Sequence, residues 1–113
     1  MITIYHNPKR SKSREGVCFL EEIKEPYQVV KYIDEGITVD DLKNVLKKLN
    51  YKPIELVRTK EKIWIENYRD KNLTDIEIID AMVENPKLIE RPIVIKNDKA
   101  VVARPTEKIK EIL

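Results

Sequence analysis

Cysteine and histidine are almost missing from this chain. Cys18 and His6 are the single members of their kinds among 113 residues. One cysteine excludes an intramolecular disulfide and any multi-cysteine metal site. With only one histidine beside it, a structural zinc site lacks ligands, and no metal is expected. Glycine is nearly as scarce, with Gly16 and Gly36 as the whole supply. A glycine-rich phosphate loop of the P-loop or dinucleotide-binding kind cannot be built from them. No run of 18 apolar residues occurs, so neither a membrane span nor a membrane partner is expected. The N-terminus opens into a strand pattern without a signal-peptide apolar region, and the expected location is cytoplasmic. The net charge is only +2, from 22 basic and 20 acidic residues. General nucleic-acid binders are far more basic, so no nucleic-acid partner is expected.

What remains is enough for one domain. Apolar residues make up 42% and charged residues 37%, a modest core under a well-solvated surface. Ile2–Tyr5 alternates and is β-prone, and reads as a first strand. Ser11 to Lys24 reads as a helix with Val17, Leu20 and Ile23 at helical spacing and Cys18 and Phe19 widening that face. Tyr27 to Tyr32 reads as a second strand, parallel to the first and reached by a right-handed crossover. The middle is helical. Thr38 with Asp41, and Thr74 with Glu77, are capping-box patterns ahead of apolar stripes. Pro53 starts a short helix through Leu56, and another helix runs from about Lys60 to Tyr68. Strands return at Pro92–Ile95 and Lys99–Ala103 around a turn at Lys96-Asn97-Asp98. Thr106–Leu113 closes as a helix with Ile109, Ile112 and Leu113 toward the core. The pattern is an α/β sheet domain, β-α-β then β-β-α, with an inserted helical block.

The junction after the first strand carries the chemistry. Tyr5-His6-Asn7-Pro8-Lys9-Arg10-Ser11-Lys12-Ser13-Arg14 runs from strand through loop into helix. A helix start offers unpaired N–H groups and the positive end of the macrodipole, which suit an anion. Lys9, Arg10, Lys12 and Arg14 stand at that same start. Each exposed cation there costs roughly 0.3–1 kcal/mol unless solvent or an anion meets it.

This stretch resembles the active-site loop of the arsenate reductase family, the ArsC type coupled to glutaredoxin, whose pattern is His-Asn-Pro-x-Cys-x-x-Ser-Arg. His6, Asn7, Pro8, Ser13 and Arg14 match, and the resemblance extends over nearly the whole chain. It implies a thioredoxin-like four-stranded mixed sheet, with a core of residues 1–35 and 88–113 and a helical insertion of about 38–87. It also implies an oxyanion site. Arg58 in Leu56-Val57-Arg58-Thr59-Lys60, Arg91 in Glu90-Arg91-Pro92-Ile93 and Arg104 in Ala103-Arg104-Pro105-Thr106 stand in settings where the family has its anion-holding arginines. A guanidinium is always ionised and grips two oxygens at once, which suits arsenate, sulfate or phosphate. His6, Asn7, Ser13 and Arg14 would support the loop. The Arg91–Pro92 bond is expected to be cis, as thioredoxin-like folds have it. The implied reaction is thiol-dependent reduction of arsenate to arsenite, with glutathione or glutaredoxin as reductant and no bound cofactor.

One position departs from the pattern. Arg10 stands where the family has its nucleophilic cysteine. A guanidinium keeps its proton above pH 12 or so and presents no lone pair at neutral pH. Cys18 is eight residues further on, about 12 Å along a helix axis. It lies beside apolar positions, and the expectation is a buried, inert thiol. Three readings follow. Position 10 is a substitution in an otherwise competent reductase; the protein binds an oxyanion without turnover; or it is an interaction module like the Spx-type regulators, which share the fold and carry a Cys-x-x-Cys pair where this chain has Arg10 and Ser13. Among the other arginines, Arg10 is expected to turn to solvent or to an acid such as Glu15.

Overall fold

A computed structural model describes all 113 residues, Met1–Leu113. They fall into two compact units, Met1–Glu35 with Arg91–Leu113, and Gly36–Glu90.

The first unit is built on a four-stranded sheet. Its strands are β1 (Ile2–Tyr5), β2 (Tyr27–Val30), β3 (Ile93–Lys96) and β4 (Lys99–Val102), in the order β2-β1-β3-β4. β1 and β2 are parallel, while β1–β3 and β3–β4 are antiparallel. This is the mixed sheet expected. Ile2 and Ile4 alternate into the core, where they meet Leu20, Val94, Ala103, Ile109 and Ile112. Full burial of one such side chain is worth roughly 1.5–3 kcal/mol. Ile93 and Val94 are both buried, as befits neighbouring residues of an inner strand covered on two faces. Val29, on the edge strand β2, is exposed.

Helix α1 (Ser11–Glu22) crosses between β1 and β2 and turns Ser13, Gly16 and Leu20 inward. Gly16 has a packing reason. A Cβ placed on it would sit 2.9 Å from Pro92 Cγ and 3.1 Å from Ile4 Cδ1, closer than side chains pack. The helix stops two residues before Lys24. Ile23 closes it, and Lys24 turns left-handed at φ 58°.

Three expectations in this unit need correction. Tyr32 is not in the second strand, which ends at Val30; it opens a short helix, α2 (Tyr32–Glu35). The N–H groups of Asp34 and Glu35 bond back to Lys31 C=O at 3.1 and 2.9 Å, and Tyr32 is buried with its ring 6.4 Å from that of Tyr5. The last segment, Thr106–Ile112, is 3₁₀ rather than α. Three residues per turn align Ile109 with Ile112 and carry Leu113 a third of a turn away, where it is exposed. Cys18 is also exposed, on the outer side of α1 from Gly16 and Leu20.

The second unit holds α3 (Val39–Leu49), α4 (Lys62–Asn67) and α5 (Asp75–Glu84), with 3₁₀ turns at Pro53–Leu56 and Pro86–Leu88. Both capping boxes are formed. Thr38 Oγ1 accepts from Asp41 N–H at 3.1 Å, and Thr74 Oγ1 from Glu77 N–H at 3.3 Å, with each acid bonding back. Leu42, Val45, Leu46 and Leu49 form the buried stripe of α3, and Ile78, Ile79 and Met82 that of α5. Trp64 is buried and stacks on Tyr68 at 5.5 Å. No helix is long and apolar enough to cross a membrane.

Candidate functional site

Several chain ends meet at one edge of the sheet. Tyr5, the last residue of β1, pairs with Val30, the last of β2, and with Ile93, the first of β3. Ile93 pairs in turn with Val102, the last of β4. Backbone bonds extend this edge. His6 N–H reaches Val30 C=O at 2.9 Å, and Ala103 N–H reaches Pro92 C=O at 2.9 Å. The His6–Arg14 loop, Lys31, Arg91 and Arg104 therefore all leave the same end of the sheet. Open α/β sheets bind ligands beyond the C-terminal ends of their parallel strands, where neighbouring connections diverge.

The loop is organised around one oxygen. Ser13, the third residue of α1, is fully buried, and its Oγ accepts the Asn7 N–H at 2.8 Å. The same oxygen lies 2.7 Å from His6 Nδ1. In the tautomer that uses the hydroxyl proton, Ser13 donates to Nδ1 and the ring carries its proton on Nε2. Burial lowers the His6 pKa, against an opposing hydrogen bond with the Ser13 backbone, and the Lys31 and Arg14 cations lower it further. Starting from an ordinary value near 6.5, the ring is neutral at pH 7. Asn7 is buried too, and its Oδ1 accepts Lys9 N–H at 3.2 Å. That Asx turn bends the strand exit into the helix.

The helix start itself is bare. Arg10 is the N-cap residue, in an extended conformation, and no side chain caps α1. Arg14 is the first to bond back, its N–H to Arg10 C=O at 3.1 Å. Ahead of it, the first N–H groups of the helix have no side-chain cap. Arg14 Nη1 donates to Pro8 C=O at 3.1 Å and so braces the loop from outside. Arg10 is exposed and makes no ion pair. The acid expected as its alternative, Glu15, pairs instead with Lys12 at 3.5 Å.

The remaining arginines differ from one another. Arg91 is buried and precedes Pro92 across a cis bond, as expected. Arg104 is exposed, and Arg104–Pro105 is a second cis bond for which the sequence offered no signal. Arg58 belongs to the second unit, where its Nη1 pairs with Glu61 Oε1. Its N–H reaches Leu88 C=O at 2.7 Å. Lys31 is the residue that sequence reasoning passed over. Its place just beyond β2, parallel to β1, is the signal that would have found it. Cys18 lines a shallow groove of about 430 Å³ along α1, with Ser11, Arg14, Phe19 and Thr106. Its thiol faces water, two helical turns beyond the loop.

This geometry suits an anion: uncapped N–H donors, a neutral buried histidine and several cations at one sheet end. The model of the ArsC family matches residues 5–112. The arsenate reductase of Neisseria meningitidis (serogroup A) is 39% identical, with 99% of this chain and 97% of that protein aligned. The uncharacterised protein YfgD of Escherichia coli K12 is 43% identical over 99% of this chain and 96% of its own length. Among solved structures, an arsenate reductase from Vibrio cholerae superposes with a TM-score of 0.94 at 43% identity, covering 99% and 97% of the two chains. The sheet order, the loop at the end of β1 and these matches agree, and the chain, a thioredoxin-like α/β protein, belongs to the ArsC family.

Proposed function

We propose that this ArsC-family chain binds a small tetrahedral oxyanion at the end of the sheet and does not reduce it. The observation that carries the reading is Arg10. It stands at the N-cap of α1, where the family's loop has its nucleophilic cysteine, and it is turned to solvent. Arsenate reduction through that loop needs a thiolate to form a bond to arsenic. A guanidinium cannot form it. Cys18 does not replace it, because it lies on the outer side of α1 and away from the uncapped helix start.

Binding needs less than turnover does. The N–H groups at the start of α1, with Arg14, Arg91 and Arg104 leaving the same sheet end, suit arsenate, sulfate or phosphate. On this reading glutathione or glutaredoxin, the thiol reductants that family membership implies, act only once position 10 carries a thiol. The expected setting is the cytoplasm. Calorimetric titration with arsenate and sulfate tests the reading. Binding in the millimolar range or tighter is expected, weakened by Arg14→Ala, Arg91→Ala or Arg104→Ala. Arg58→Ala joins the series on the resemblance alone. Absence of binding at 10 mM anion, on the order of the weak end of the affinity scale, would refute it.

A further inference from the structure

We infer that β2 is a self-pairing edge: two copies of the chain join their β2 strands antiparallel, about a two-fold axis at Gln28. β2 ends the sheet, with β1 on one side only. Its bonds decide which backbone groups stay open. Ile2 N–H reaches Pro26 C=O at 3.3 Å, and His6 N–H reaches Val30 C=O at 2.9 Å. Ile2 lies opposite Tyr27 and Ile4 opposite Val29, so the even-numbered residues of this stretch turn their backbone groups to β1. Tyr27 and Val29 turn their N–H and C=O to the open side. Pro26 removes no donor there, because its backbone faces β1. Gln28 and Val29 are exposed.

The other end of the sheet is blunted. Ala103 N–H bonds Pro92 C=O, so Val102 faces away from β3, and its C=O already accepts Arg104 N–H at 2.8 Å. One fully open edge per copy gives a closed pair rather than a growing sheet.

Charge selects the register. Antiparallel strands bond through opposed residues that both face outward. A two-fold axis at Tyr27, Gln28 or Val29 meets that condition. With the axis at Gln28, Tyr27 lies opposite Val29 of the second copy, an aromatic beside a β-branched side chain. Glu25 then lies opposite Lys31 of the second copy, once on each side of the axis, and the neutral Gln28 meets itself. An axis at Tyr27 or Val29 sets Glu25 against Val29 or Ile33 and pairs no charges. Lys31 is exposed and outside every ion pair. Glu25 meets Lys96 through Oε2 alone, at 3.5 Å. A net charge of only +2 opposes self-association little. A ladder this short makes a small interface, so the dissociation constant is on the order of 100 μM.

Sedimentation velocity of the full chain tests the pairing, from about 10 μM to about 1 mM at low ionic strength. The dimer fraction of the parent should rise over that range. Val29→Pro removes an outward N–H and sets a ring against the second strand, and should stay monomeric throughout. Glu25→Lys places like charges opposite each other on both sides of the axis and should weaken the dimer about tenfold. The double variant Glu25→Lys with Lys31→Glu should recover it. Thermal melts verify folding, and the charge variants decide the matter if Val29→Pro unfolds. A parent chain still monomeric at about 1 mM overturns the inference and leaves the edge to an extended peptide of another protein. A dimer indifferent to a folded Val29→Pro, or not recovered by the double variant, overturns it as well.

Discussion

Replacing Ser13 with alanine removes one oxygen from the centre of the loop. Ser13 is fully buried, and that oxygen serves both Asn7 N–H at 2.8 Å and His6 Nδ1 at 2.7 Å. Asn7 is itself only 7% exposed, so water cannot readily take the vacated place. A buried donor left without an acceptor costs about 1–3 kcal/mol. Alanine is the better helix former inside α1 and returns about 0.5 kcal/mol. The predicted net loss is about 1–2 kcal/mol. For a chain of 113 residues, each kcal/mol moves the melting temperature by about 4 °C. Thermal unfolding followed by circular dichroism should therefore show Ser13→Ala melting about 4–8 °C below the parent. Ser11→Ala is the control, at an exposed residue of the same helix turn, and should stay within about 0.5 kcal/mol. A Ser13→Ala melt within about 1 °C of the parent, on that same scale, would refute the claim that this hydroxyl organises the loop.

Four other outcomes are expected. The His6 pKa is lowered in the folded chain, so the unfolded state binds the proton more readily. Stability should fall as pH drops below about 6.5 and down to the folded pKa; in urea titrations His6→Gln should flatten that window, and an unchanged slope contradicts the assignment. Gly16→Ala should miss the stabilisation of about 1 kcal/mol that this change gives at an open helix site, because the new methyl meets Pro92 and Ile4; a full gain on denaturant titration argues against the close packing. Thr38→Ala and Thr74→Ala should each cost about 1 kcal/mol by the same measurement. Trp64→Ala should cost about 3–5 kcal/mol, since the ring is buried against Tyr68, and a loss under about 1 kcal/mol would be out of line with core truncations.

Much of this was legible in the residues. Ile2–Tyr5 announces β1 by alternation, and Thr38 and Thr74 announce α3 and α5 by their capping boxes. Those signals are local, so the sequence displays them. Tyr32 misled because its β propensity continues the run from Tyr27, whereas burial of its ring and the bonds onto Lys31 C=O decide for a helical turn. Cys18 misled in the same way. Its apolar neighbours Val17 and Phe19 suggest burial, but Ser13, Gly16 and Leu20 mark the inward line of α1, and Cys18 falls outside it. The candidate site was legible as a loop motif and as isolated arginines. Ser13 as the shared hydrogen-bond centre depends on how β1 and α1 meet, a tertiary fact without a short-range signature. Lys31 was legible only from its place at the end of a strand parallel to β1, which the reading of Tyr32 as strand obscured.

Restoring the family's loop is the most direct test of the whole account. Glutathione- and glutaredoxin-coupled arsenate reduction should be measured for the chain as it stands and for Arg10→Cys, side by side. The account predicts no turnover above background for the chain and arsenate reduction by Arg10→Cys. Arsenate reduction by the unaltered chain would contradict it.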